Sequence, residues 1–202
     1  MSLTRTPRAG FSLIELLMVI AIAAILAAVA APFLFRGGSV LTAGAMAKKV
    51  KDDIRYAQGL ALLRSNLDTP SATNPKFTYR IRFNLADANC GYTNQYAIVN
   101  DADNNAAWGE NPNGAGLIES ARNPANGDRY FCAQMDSGDY AGFVVSADFG
   151  GAIPGILEFD NMGIPYDSDG NKLTVSKTVQ VTKGAETVTI TVTPNTGRVS
   201  IQ

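Results

Sequence analysis

The chain contains no histidine. That absence removes the side chain most used as a general base near neutral pH and as a zinc ligand, and it excludes Ser-His-Asp and Cys-His nucleophilic sites. Cysteine is nearly absent as well. Cys90 and Cys132 are the only two, too few for a disulfide scaffold and enough for one bridge. With 17 basic and 18 acidic residues the formal charge is −1, so there is none of the basic excess expected of a general nucleic-acid binder. No glycine-rich phosphate loop follows a strand and no Walker lysine occurs, so nucleotide hydrolysis is not expected of this chain. What remains is 202 residues with 46% hydrophobic side chains, the composition of one globular domain with room for an appendage and not that of a disordered chain.

The appendage is at the start. Leu16–Phe35 carries no charge, and as a helix rising about 1.5 Å per residue it would extend roughly 30 Å, the thickness of a bilayer's hydrocarbon core. A secretory signal has a shorter apolar region followed by a polar cleavage site, and neither holds here. Arg5 and Arg8 precede the run and only Arg36 follows closely, which by the positive-inside rule puts the amino terminus in the cytoplasm and the bulk of the chain outside the inner membrane. Near the start of the run stands Glu15. An intramembrane carboxylate costs about 3 kcal/mol and marks a functional position by default.

The residues around it are Arg8-Ala9-Gly10-Phe11-Ser12-Leu13-Ile14-Glu15-Leu16. They resemble the class III signal of type IV pilins and type II secretion pseudopilins: a short basic leader ending in Gly, an apolar first mature residue, then Ser-Leu-Ile-Glu-Leu before an apolar helix. The resemblance implies cleavage between Gly10 and Phe11 by a prepilin peptidase, N-methylation of Phe11, and a role for Glu15 in assembly through pairing with the terminal amine of Phe11. Four residues make about one helical turn, so pairing within the chain is geometrically open, while the resemblance favours pairing across subunits. Removing Arg5 and Arg8 would leave 15 basic against 18 acidic groups. Pro32 falls where the family carries an interior proline, and with Gly37-Gly38 it implies a kink or unwound segment between about Ala24 and Gly38.

Beyond that point Ala43, Ala47, Val50, Ile54, Ala57 and Ala61 alternate at spacings of four and three, one apolar stripe on a helix whose other faces carry Lys48, Lys49, Lys51, Asp52, Asp53 and Arg55. The pattern predicts one long helix from Phe11 to about Arg64. Its first half is membrane or filament core, and its second half is the spine for a sheet. After Asp68 the period becomes that of strands. Phe77, Tyr79, Ile81 and Phe83 alternate with Thr78, Arg80 and Arg82 as a half-buried strand, and further strands are expected at Gln95–Val99, Arg129–Ala133, Gly142–Ala147 and Ile156–Phe159. Thr178–Thr182, Thr187–Thr193 and Arg198–Ile201, separated by turn residues, predict an antiparallel meander. The fold class is therefore α+β: a long N-terminal helix packed against a β-rich head, divided as a leader (1–10), a transmembrane or filament-core helix (11–37) and a head (38–202).

The asparagine-rich stretch between Asn100 and Asn126 is equally an exposed recognition surface or a plain solvated insertion. Cys90 and Cys132 bracket much of it, and in an oxidising compartment a bridge between them would contribute roughly 4 kcal/mol on the chain-entropy view. Asp167-x-Asp169-Gly170-Asn171 opens like a calcium loop but lacks the closing Glu, and Asp101-x-Asp103-x-Asn105 is likewise incomplete, so turn chemistry suffices for both. No metal or other cofactor is expected.

Near the end, Leu157-Glu158-Phe159-Asp160-Asn161-Met162-Gly163-Ile164-Pro165 and Val188 to Val199, with Thr196-Gly197-Arg198, resemble the C-terminal pattern of GspH/FimT-type minor pilins and pseudopilins. Some FimT-like members bind DNA through a Gly-Arg-x-Arg ending. Here Ser200 replaces the second Arg, so Arg198 is the one candidate contact and nucleic acid is not an expected partner. These resemblances imply a structural, non-enzymatic minor pilin. Its partners would be other pilins or pseudopilins, the prepilin peptidase, an inner-membrane assembly platform and membrane lipid. It would be held in the inner membrane with its head in the periplasm before joining a filament. A GspH-like pseudopilin of a type II secretion system and a DNA-uptake pilin are the alternatives.

Overall fold

The computed structural model describes residues 12–35, 41–63, 77–84, 90, 94–101, 108–109, 119–135 and 137–202, with 30–35 and 77–78 described in backbone only. The chain forms two compact units, Met1–Val40 and Leu41–Gln202. The first contains helix α1 (Leu13–Phe35). The second contains, among its described residues, α2 (Ala43–Leu63) and nine strands: β1 (Phe77–Phe83), β2 (Gln95–Val99), β3 (Cys132–Gln134), β4 (Phe143–Asp148), β5 (Ile156–Asp160), β6 (Pro165–Tyr166), β7 (Lys177–Lys183), β8 (Glu186–Val192) and β9 (Val199–Ile201).

The single helix expected from Phe11 to about Arg64 is instead two. Leu41 and Thr42 are not helical, and α2 starts afresh with Thr42 as its cap. The Thr42 hydroxyl accepts the Ala45 N–H at 3.2 Å, while a Glu186 carboxylate oxygen accepts the Ala43 N–H at 3.3 Å. Two of the orphan donors of a helix start are thereby satisfied, one of them by an anion placed at the positive end of the helix dipole. Lys183 Nζ donates to the Leu41 carbonyl at 2.8 Å, so both ends of the tight β7–β8 turn grip the start of α2. Gly37-Gly38, also expected to weaken the helix, lie outside the described residues. So does the side chain of Pro32, and the backbone is helical through that position to Phe35.

The stripe read on α2 is its buried face. Ala43, Ala47, Val50, Ile54, Ala57 and Ala61 are all buried, joined by Met46 and Asp53. Alanine at four of those positions lets the helix axis lie close to the strands, and the volume is filled by large side chains from the sheets: Tyr79, Ile81, Phe83, Tyr96, Phe131 and Phe159. Asp53 survives in this core because its charge is matched. Lys49 Nζ stands 2.6 Å away and the Tyr96 hydroxyl donates to it at 2.5 Å. The Lys49 ammonium also lies between 5.6 and 5.7 Å from the ring centres of Tyr96, Phe131 and Tyr140. Burial pushes the Tyr96 phenol up, and the Asp53 charge adds to the effect, so the hydroxyl remains a donor.

The described strands all pair antiparallel. One sheet has the order β3-β2-β1-β5-β6 and the other β4-β7-β8-β9, the second completing the C-terminal meander. The two are stitched by asparagine side chains. Asn84 Nδ2 donates to the Val145 carbonyl and Asn94 Nδ2 to the Phe143 carbonyl, the latter at 2.7 Å, which occupies acceptors of edge strand β4 that would otherwise invite pairing. Strand β6 was not anticipated, being only two residues long and containing Pro165.

Two C-terminal turns meet on one side chain of α2. Asp160 Oδ1 accepts the N–H groups of Met162 and Ile164 at 2.9 and 2.8 Å, folding the β5–β6 turn so that Gly163 faces the helix. Gln58 Nε2 then donates to the Gly163 carbonyl at 2.8 Å and to the Thr196 carbonyl of the β8–β9 turn at 3.1 Å. Gly197 is pressed into this junction with φ +60°, and a Cβ there would stand 2.6 Å from Gln58 Nε2 and 2.7 Å from the Gly163 oxygen. Gly197→Ala therefore should destabilise the head by about 1–3 kcal/mol through strain and loss of the Gln58 bonds. A lowered denaturant midpoint with unchanged slope checks this, and a midpoint equal to wild type would show that the junction yields freely.

Candidate functional site

The amino-terminal helix carries the first group of expected site residues. Ser12 and Glu15 close a reciprocal cap on α1: the Ser12 N–H donates to Glu15 Oε2 and the Glu15 N–H donates to Ser12 Oγ, both at 3.3 Å. This is the Ser-x-x-Glu capping box, whose signature stands in the sequence beside the charge of Glu15. The box fixes the beginning of α1 at Leu13, two residues past the expected cleavage point. Gly10 and Phe11 themselves lie outside the described residues.

Beyond Glu15 the helix has no polar face. Leu13, Ile14, Leu16, Leu17, Met18, Val19, Ile20, Ile22, Ile25, Leu26 and Val29 point around its circumference, and every one is exposed, from 52% at Leu17 to 82% at Leu13. A helix that is apolar all round is stable only when covered on all sides. Among the described residues no helix is both long and apolar enough to cross a membrane. The run that predicted a span, Leu16–Phe35, includes residues 30–35, which are described in backbone only.

On the head, Cys90 and Cys132 are joined by a disulfide, with 5.8 Å between their α-carbons. The bridge fastens Cys90 to strand β3 beside the outer face of the five-stranded sheet, where Ala97, Val99, Trp108 and Tyr130 gather in a second, smaller apolar cluster. That face is not the solvated one that alternation suggested for β1. Arg80 retains only 14% side-chain exposure, its guanidinium stacked 3.7 Å from the centre of the Trp108 ring and paired with a fully buried Glu158. The signal lay in β2, whose Gln95-Tyr96-Ala97-Ile98-Val99 is buried at every position, as a strand covered on both faces must be. Burial pushes the Glu158 carboxyl up to about 7 against the opposing pull of Arg80, with Asp167 and Asp169 raising it further. The same burial lowers the Arg80 guanidinium.

The remaining candidates are tied up locally. Asp167 Oδ1 accepts the N–H groups of Asp169 and Asn171 at 3.0 and 2.8 Å, and Asp169 accepts the Ala152 N–H at 3.0 Å, so these carboxylates build a turn from backbone donors. Asp101 is described, but Asp103, Asn105 and most of the asparagine-rich stretch are outside the described residues. Arg198 is exposed on the β8–β9 turn, its carbonyl accepting the Thr193 N–H at 2.9 Å, with Ser200 two residues on.

With this geometry in place, comparison with known proteins gives one match. The family model described as the prokaryotic N-terminal methylation motif matches residues 5–31, which span the basic leader, the capping box and most of α1. That motif is characteristic of type IV pilin and pseudopilin precursors, and this chain carries it. No curated protein and no solved structure matches the chain significantly.

Proposed function

We propose that this chain is a structural minor pilin or pseudopilin. It is inserted in the inner membrane by the run Leu16–Phe35, processed between Gly10 and Phe11 by a prepilin peptidase, methylated on Phe11, and built into or used to prime a type IV pilus filament. The observation that carries the reading is α1: a helix apolar around its whole circumference, exposed along its described length and headed by the methylation motif. Lipid tails cover such a surface before assembly, and equivalent helices of neighbouring subunits cover it afterwards. Its chemistry is burial, which supports a structural role. Cleavage is checked by the intact mass of protein extracted from membranes of peptidase-competent cells. The expected mass lacks Met1 to Gly10 and carries one added methyl group, and a mass that retains the leader would overturn the reading.

The finer assignment to the GspH/FimT-type minor subunits draws support from the C-terminal pattern. Its two halves, the turns at Gly163 and Gly197, are brought together on Gln58 of α2, so the pattern marks one structural junction. That junction suits a pilus subunit and a GspH-like pseudopilin of a type II secretion system alike. DNA uptake is the less favoured reading, because affinity for phosphates grows with the number of cationic contacts and Arg198 has no arginine two residues on.

Glu15 is proposed to neutralise the amine of Phe11 on the subunit it docks against, a pairing that removes two uncompensated charges from an apolar setting. The capping box supplies a clean test. Gln at the third helical position keeps the reciprocal cap but carries no charge, so Glu15→Gln should leave α1 and the cleavage at Gly10 intact while lowering incorporation into sheared filaments. Incorporation at the wild-type level would assign Glu15 to capping alone.

A further inference from the structure

The edge of a sheet presents a row of unpaired N–H and C=O groups, which native proteins cover or blunt. Three of the four edges of the head have such a cover. On β4 the outward carbonyls of Phe143 and Val145 are taken by Asn94 and Asn84. On β6 the Pro165 carbonyl accepts the Leu173 N–H at 3.0 Å and Tyr166 bridges to Lys172, while on β9 the Val199 carbonyl accepts from the Arg55 guanidinium at 3.2 Å. Strand β3 differs. The Met135 N–H donates to the Asn94 carbonyl at 2.9 Å and the Ile98 N–H to the Phe131 carbonyl at 3.4 Å, and with Ala133 opposite Tyr96 these bonds set the alternation of the ladder. Cys132 and Gln134, which lie between the bonded positions, therefore turn their N–H and C=O groups away from β2, and among the described residues nothing bonds to them. Beside this edge lies an open groove of about 330 Å³, whose walls include Cys132, Gln134, Ser137, Tyr140 and the exposed carboxylates of Asp128 and Asp139. No lysine or arginine among the described residues lines it. Lys49, whose ammonium is 5.7 Å from the centre of the Tyr140 ring, is paired with Asp53.

We propose that β3 is a docking edge of the head, to which an extended segment of a partner protein carrying lysine or arginine adds as a further strand of the five-stranded sheet. The backbone of that segment bonds the N–H and C=O groups of Cys132 and Gln134, and its alternate side chains enter the groove, where a basic one meets Asp128 and Asp139. Backbone pairing supplies affinity whatever the sequence, and the two carboxylates select for positive charge and against negative. The edge is fixed before any partner arrives. Cys132 is bridged to Cys90, and the Gln134 side chain donates to the Cys90 carbonyl at 3.4 Å while accepting the Ser137 hydroxyl at 3.3 Å. Little ordering of the head then opposes docking. Strand β3 has only three residues, so a lone peptide binds weakly and the contact gains strength as one part of a larger interface. The surface belongs to the head and does not depend on how α1 is covered.

The test uses the full chain, isotope-labelled on nitrogen, in zwitterionic detergent micelles, with the blocked peptide acetyl-Thr-Lys-Val-Lys-Thr-amide as probe. Titration should shift the amide resonances of Cys132 and Gln134 in a saturable way and slow the exchange of both amides with solvent. Asp128→Asn, a change at an exposed side chain, should weaken binding by about threefold. Glutamate in place of both peptide lysines should weaken it further. A third peptide, N-methylated throughout, offers no N–H to the ladder and should not bind. Wild-type amides at Cys132 and Gln134 that ignore the lysine peptide would overturn the proposal, as would equal binding of the lysine and glutamate peptides, equal binding by Asp128→Asn, or binding that survives N-methylation.

Discussion

The head depends on one packing arrangement, the burial of the alanine-rich face of α2 against two sheets at once. Strands β1, β5, β7, β8 and β9 all pack on that helix. Small residues at Ala43, Ala47, Ala57 and Ala61 bring the helix close, and aromatic and branched side chains from the strands close the gap. Several polar groups that enter this core fix its register. Lys49, Asp53 and Tyr96 lock α2 to β2, Gln58 locks it to the two C-terminal turns, and Glu186 with Thr42 sets where it begins. Each of these fixes the helix to a different part of the chain, so the head has one arrangement of its sheets around α2.

The other helix obeys the opposite constraint. Among the described residues the large apolar side chains of α1 from Leu13 to Val29 are exposed, whereas those of α2 are buried. The cost of leaving that surface in water is large, and the proposed function supplies a cover for it. The methylation motif that spans most of α1 is the observation on which the proposed cover, first lipid and then like helices, rests. Glu15 is the single charge in that surface. Its capping bonds to Ser12 tie it to the first turn of α1.

Much of this was legible in the sequence, and the reasons for the rest are physical. The stripe on α2 followed from apolar spacing, and most strands fell within a residue or two of their observed bounds because alternation and turn residues marked them. The break at Leu41–Thr42 was missed because the apolar pattern continues on both sides and a cap leaves only one polar residue as its trace. Asp53 was assigned to a solvated face because hydrophobicity alone does not register a carboxylate whose cation lies four residues earlier and whose donor lies on β2. Arg80 and Arg82 were read as facing water because what covers them comes from distant residues, Trp108, Gly109 and Tyr130, whose placement no local period encodes. The capping box at Ser12 is written in the sequence as Ser-x-x-Glu. The Cys90–Cys132 pairing followed from there being only two cysteines.

The central claim is that α1 is covered by lipid until it is covered by other subunits. Extraction of membranes at alkaline pH, which strips proteins held at the surface and leaves those embedded in the bilayer, tests it most directly in cells that lack the filament assembly platform. The account predicts that the whole chain remains with the membrane pellet. Release of the chain into the supernatant would contradict it, since α1 would then have found its cover without a bilayer.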